Sequence, residues 1–353
     1  MALGRVRGLS VAAALWVGAS ITSIALIAPA SRAGTQPAGT QPAGTQPAGV
    51  QPAGAPAAIQ LEEIDVVGER PGPRLWKVTR GDHVLWVLGT LNHVPRKMIW
   101  RSSEVEAALS RSQQVLASGP SVSANIGPIA MIRLYFQWRG TQKDPNRTSL
   151  KDWLSPALYA RFEALKARFD AHDGRIEELR PAFAAYRLYE RAVEEAGLTR
   201  QDEAEKTVLK LAARRHVPVR RAELAVTDPS GALKEVGALP PSVEVGCLAT
   251  TITRLETDLP AMQERAEAWA IGDVDRLRRL SFPDQREACI GALSNAPRIK
   301  ALFDQASAAW DSAAEAALAT DQVSFAMRPI YDLLAADGPL ARFRAHGDTV
   351  EGP

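Results

Sequence analysis

The chain of 353 residues is 46% hydrophobic and 23% charged, with 42 Lys and Arg against 40 Asp and Glu. Three of the arginines lie in residues 1–33; without that segment the count is 39 basic to 40 acidic, a net charge of −1. So even a balance gives no ground for a nucleic-acid partner or for an acidic membrane as partner.

Arg5 and Arg7 precede an apolar and small-residue run from Leu9 to Ala28, and the segment closes on small residues, with Ala30 and Ala33 as cleavage points. That is the layout of a secretory signal peptide. An uncleaved anchor is the other reading, because about 20 residues can span a bilayer. Ser10, Ser20, Thr22 and Ser23 dilute the run, so removal of 1–33 is expected, with a periplasmic or secreted product. Residues 34–58 repeat GTQPA-like units. Such a tract buries nothing that could offset its chain entropy, and it reads as a spacer. The folded domain is then 59–353, with no later run apolar enough for a membrane helix.

Leu75–Arg80 and His83–Leu91 are apolar runs around Gly81-Asp82, a hairpin pattern. Ser103-Glu104-Val105-Glu106 fits a capping box opening a helix, and Val115-Leu116-Ala117 reads as a short buried strand. The aromatic and basic stretch 131–140 reads as an amphipathic helix with Ile132, Tyr135 and Phe136 turned inward; a peptide- or glycan-binding surface is the alternative. Ser155-Pro156 caps a helix whose Leu158, Phe162, Leu165 and Phe169 share a face. Helices follow over Pro181–Ala196, stopped by Gly197, and Asp202–Arg215. A strand from His216 ends near Glu223. Helices resume near Leu233 and over Val243–Leu255, Ala261–Ile271, Val274–Leu280 and Pro297–Leu318. A strand over Val323–Met327 leads into one helix from about Ile330 to His346. The class expected is α/β, a helix-rich α+β arrangement with a small central mixed sheet covered by many helices. Cys247 and Cys289 sit in or beside separate helices, and in an oxidising compartment a disulfide between them is expected.

LWKVTRGDHVLWVLGTLNHVP, residues 75–95, resembles the opening of the TraB/GumN family, relatives of the Tiki metalloproteases. RRHVPVRRAEL, AEAWAIGDVDRLRRL and the closing VSFAMRPIYDLLAADGPLARFRAHGDTVEGP are similar to later family segments, in the family's order. The resemblance implies His and Glu side chains at strand ends, binding a divalent ion such as Mn, Zn or Co that activates a water for hydrolysis. This chain departs from that pattern. After Gly89 the family histidine position holds Asn92, and the histidine is His93, one residue late. Ser118 stands where the family has glutamate. The second G-x-x-H is Arg328-Pro329-Ile330-Tyr331, which puts Arg328 at the glycine and Tyr331 at the histidine. Glu223 alone retains an acid.

Two readings stay open. In one, the protein is exported and non-catalytic, binds a protein, peptide or glycan, and needs no cofactor; Arg328 paired with Glu223 would fill the metal's place. In the other, His93 and Glu223 converge as ligands of a divergent metal-dependent hydrolase or peptidase. His83, His172, His216 and His346 read as surface residues. Membrane contact is expected only through an uncleaved leader. The acid pairs Glu62-Glu63 and Glu177-Glu178 read as solvated faces.

Overall fold

The computed structural model describes residues 71–96, 98–124, 126–169, 174–199, 202–280, 289 and 296–353. The leader, the repeat, Glu62-Glu63 and His172 lie outside the described residues.

Strands β1 (Leu75–Arg80) and β2 (His83–Thr90) form the expected antiparallel hairpin, with Leu75 opposite Leu88 and Arg80 opposite His83. Gly81 turns between them at φ 61°, a left-handed conformation that glycine adopts without strain. The helix α1 (Ser103–Leu109) leads to β3 (Val115–Leu116) and β4 (Ser121–Ser123). The capping box read from Ser103 does not form: Ser102 is the N-cap, it makes no side-chain capping bond, and its hydroxyl instead donates to Glu106 Oε1 at 2.8 Å. Helices α2 (Pro128–Thr141), α3 (Leu150–Trp153), α4 (Pro156–Phe169), α5 (Pro181–Glu195) and α6 (Glu203–Arg214) follow. Then come β5 (Val219–Arg220), β6 (Glu223–Ala225), α7 (Pro229–Gly237), α8 (Pro241–Thr257), α9 (Leu259–Ala270), α10 (Val274–Arg279) and α11 (Pro297–Thr320). The chain closes with β7 (Val323–Pro329), α12 (Ile330–Leu334), α13 (Pro339–Ala345) and β8 (Thr349–Glu351).

Six strands make a mixed sheet in the order β5-β3-β7-β2-β1-β8, and β4 and β6 pair separately. β5, β3, β7 and β2 run parallel, so their carboxyl ends share one edge. β7 and β2 are central. They are apolar nearly throughout, as befits strands covered on both faces. The helix-covered mixed sheet is as expected. Two details differ. The single helix read over 330–346 is two, because the chain is extended at Ala335 and restarts with Gly338 as N-cap and Pro339 in the first turn. A Cβ on Gly338 would lie 2.0 Å from the Asp332 carbonyl oxygen. The strand continuing to Glu223 is also interrupted: β5 stops at Arg220, and Glu223 opens β6 in the second sheet.

Two apolar cores form. One lies around the sheet, built on Trp76, Leu85, Leu88, Phe325, Trp269 and Trp310. The other lies among α4, α5, α8 and α9, built on Phe162, Leu188, Leu248 and Ile252. In the second, Cys247 and Cys289 form the expected disulfide, Cα atoms 4.6 Å apart. Arg180 and Glu244 make a buried ion pair there, and Arg180 Nη1 also donates to the Gly237 carbonyl at 2.9 Å.

The stretch 131–140 contradicts the inward-facing reading. On α2 only Leu134 is buried, while Ile132, Tyr135 and Phe136 are 59%, 56% and 67% exposed. The helix packs on α7 through Gln137, which exchanges hydrogen bonds with Ser230, and Trp138 meets Phe183 edge-on.

Reduction, or the double substitution Cys247→Ala/Cys289→Ala, is expected to cost about 2–4 kcal/mol of folding stability, read as a lower urea midpoint. Replacement of Trp269 by Phe removes an indole N–H that donates to the Gly89 carbonyl at 2.8 Å. It is expected to cost about 1–3 kcal/mol by the same measurement.

Candidate functional site at the strand-end edge

Open sheets bind ligands outside the carboxyl ends of parallel strands, and of the residues singled out from the sequence all but Glu223, which lies in the second sheet, follow or end strands of this sheet. Gly89 pairs with Arg328 and Thr90 with Pro329 across β2 and β7. A Cβ on Gly89 would lie 2.4 Å from Ile330 Cδ1 and 3.0 Å from the Trp76 ring. Glycine here lets α12 close down on the strand end, while Trp269 ties α9 to the same carbonyl. The WAIGD part of AEAWAIGDVDRLRRL, residues 269–273, thus has a structural account. Trp269 reaches β2, Gly272 turns at φ 71°, and Asp273 caps α10 by accepting from the Arg276 N–H at 2.9 Å.

After Thr90 the chain leaves the sheet. Asn92 is exposed. His93 has a left-handed backbone, φ 62°, a conformation histidine enters more readily than most residues. That turn takes its half-buried ring toward α5. Nδ1 lies 3.4 Å from the Tyr189 hydroxyl, and the two rings meet edge-on with centroids 5.4 Å apart. Desolvation first, and then the Arg265 guanidinium, push the imidazole pKa down to about 4. Arg265 is held by Asp258 through two hydrogen bonds of 3.0 and 2.7 Å. The loop is fixed on the segment after α5 by Val94 and Pro95, whose backbones pair with Thr199 and Leu198.

The remaining positions are spread along the edge. Ser118 follows β3; its Oγ is buried with no hydrogen-bond partner among the described residues. Glu223 is exposed, paired through its backbone with Ser121. Arg328 is buried, and its partner is Asp332, not Glu223: Nε lies 2.7 Å from Oδ2. Its guanidinium also stacks on Trp310, 4.9 Å from the ring centroid, and donates to Ser307 Oγ at 3.0 Å. Tyr331 is half-buried on α12.

Among the described residues no group of three or more His, Cys, Asp or Glu side chains is placed to hold a metal ion. The donor set at the edge does not fit a divalent cation. A fixed guanidinium stands at the end of β7, and the imidazole nearest in sequence contacts a tyrosine.

One model of a known family matches, the TraB/PrgY/gumN family, over residues 74–352. The chain belongs to the TraB/PrgY/gumN family. No curated protein and no solved structure matches it. Within this TraB/PrgY/gumN family chain the edge also holds an acid that sequence reasoning read only as a helix start. Asp202 caps α6 by accepting from the Glu205 N–H at 2.8 Å and from Thr90 at the end of β2. Burial pushes its carboxyl up to about 6. The capping signal was legible; the contact with Thr90 depends on a chain crossing that no local pattern shows. The other described histidines are peripheral to the edge. His83, read as a surface residue, is half-buried and bonds the Asp321 carbonyl at 2.7 Å, while His216 and His346 are exposed as expected. Glu177 and Glu178 pair with Lys166 and Lys143 on the surface of the helical core.

The two shifted groups act in opposite directions. A lowered histidine pKa favours the folded state above the unfolded value of about 6.5 and loses that contribution as pH falls toward 4. A raised carboxyl pKa favours the folded state below about 4 and loses that contribution as pH rises through 6. His93→Asn, which suits the left-handed backbone, is expected to flatten the loss of stability between pH 6.5 and 4, on the order of 2 kcal/mol. Asp202→Asn keeps the cap and is expected to stabilise at pH 7 by about 1–2 kcal/mol. Denaturant unfolding across pH checks both.

Proposed function

We propose that this TraB/PrgY/gumN family protein is exported and acts by binding a protein, peptide or glycan, without hydrolysis. The observation that carries the reading is the Arg328–Asp332 pair under Trp310, which puts a buried, neutralised cation where the resemblance implies a metal site. His93 against Tyr189 and Glu223 exposed on β6 support it. Export is supported by the leader pattern of residues 1–33 and by the Cys247–Cys289 bond, since disulfides persist in oxidising compartments.

The experiment is thermal unfolding after chelator treatment, with Mn, Zn or Co added. A ligand of the folded state alone must raise the melting temperature. The expected result is no rise with any of the three. A rise of several degrees that disappears in His93→Ala and Glu223→Ala would overturn the reading in favour of a hydrolase.

Arg328→Ala removes a buried guanidinium that pairs with the partly buried Asp332 and stacks on Trp310, and is expected to cost about 1–3 kcal/mol, whereas Arg328→Met/Asp332→Leu costs less. Equilibrium unfolding of the two variants checks this.

A further inference from the structure

The most unusual surface of the molecule is α2. Of the ten large apolar residues that stand exposed among the described residues, five lie on this helix: Ile129, Met131, Ile132, Tyr135 and Phe136. At 3.6 residues per turn they cover one broad arc. Leu134, Gln137 and Thr141 lie on the opposite side, toward the body, where Gln137 bonds Ser230. The apolar arc therefore faces directly away from the protein. So large an outward apolar surface marks an interaction site.

The charge around it is one-sided. From Ala107 to Lys143 the sequence contains no Asp or Glu, although the chain holds 40 acids. Arg133 and Arg139 are exposed on the helix itself without an ion-pair partner among the described residues. At α7, on which α2 packs, the N-cap Asp228 and Glu235 share one arginine, Arg298, which offsets part of their charge. The near-zero net charge of the whole chain conceals this local asymmetry.

We infer that the outward face of α2 docks on the surface of an anionic lipid bilayer. Ile129, Ile132 and Phe136 would enter the acyl boundary, with Tyr135 at the headgroup level and Arg133 and Arg139 on lipid phosphates. A helix with an apolar arc, aromatic residues and unpaired cations has the composition of an interfacial helix lying in the membrane plane. Long arginine side chains reach outward from such a position to the phosphates. A second copy fits less well, because a two-fold pairing of α2 brings like charges together on a helix with no acid to meet them. This inference goes beyond the binding role proposed above and does not depend on the strand-end edge.

The test uses the chain from residue 34 onward, which keeps every residue of both cores and removes the apolar leader as a competing lipid anchor. Flotation is measured with vesicles of phosphatidylcholine alone and of phosphatidylcholine with phosphatidylglycerol, alongside the solution mass by light scattering. The expected result is a monomer that floats with the anionic vesicles and is released by salt. Ile132→Asp/Phe136→Asp is expected to weaken flotation about tenfold or more, and Arg133→Glu/Arg139→Glu severalfold. These side chains are exposed, so melting temperatures should stay near that of the parent chain. Failure to float, or flotation indifferent to both variants, overturns the proposal. So does a dimer dissociated by Ile132→Asp/Phe136→Asp, which assigns the face to a second copy, or flotation that α2 mediates equally on neutral vesicles.

Discussion

The absence of a side chain at Gly89 is the constraint on which the strand-end edge depends. β2 can be clamped from two sides there because nothing projects from that position. Ile330 packs against one side, and the Trp269 indole reaches the carbonyl. Any Cβ would push Ile330 away, and with it α12, which carries Asp332 and Tyr331. Interiors packed like crystals pass such a displacement on instead of absorbing it. The position of Arg328 follows from the same clamp. Its register opposite Gly89 fixes its backbone, and the first turn of α12 then delivers Asp332 to it.

Much of the framework was legible because it is local. The hairpin announces itself through Gly81 and alternating apolar residues, α4 through Ser155-Pro156, and α5 through Gly197. The disulfide was legible because only two cysteines exist. The site was legible in part. The departures at Asn92, Ser118, Arg328 and Tyr331 can be read off the chain, but the partners that give them meaning cannot. Arg328 finds Asp332 four residues on, a spacing visible in the sequence, yet Glu223 was the acid expected. The difference lies in where β5 ends: a break after Arg220 hands Glu223 to another sheet. His93 was read as a question of strand alternation. Its environment is set instead by a left-handed turn, which single-residue patterns do not encode for histidine.

The misreading of α2 has a different origin. Helical periodicity identifies an apolar arc but carries no sign that says inward. Burial is normally the best place for such an arc, so the inward reading follows from the hydrophobic effect alone. Here the packing side is instead the one bearing Leu134, Gln137 and Thr141, and the richer apolar side is left outside. The broken helix over 330–346 shows the reverse case: Gly338-Pro339 is a visible stop and restart signal, and the chain breaks there.

The disulfide joins residues 42 positions apart, and the segment it encloses is not neutral filler. That segment contains α9, and α9 supplies both Arg265 beside His93 and Trp269 on Gly89. A single covalent bond in the helical core thus restricts the element that grips the sheet. An oxidant is needed to close it, so the geometry of the strand-end edge is coupled to the thiol chemistry of the surroundings in which the chain matures. A chain that folds among reductants must hold α9 by packing alone.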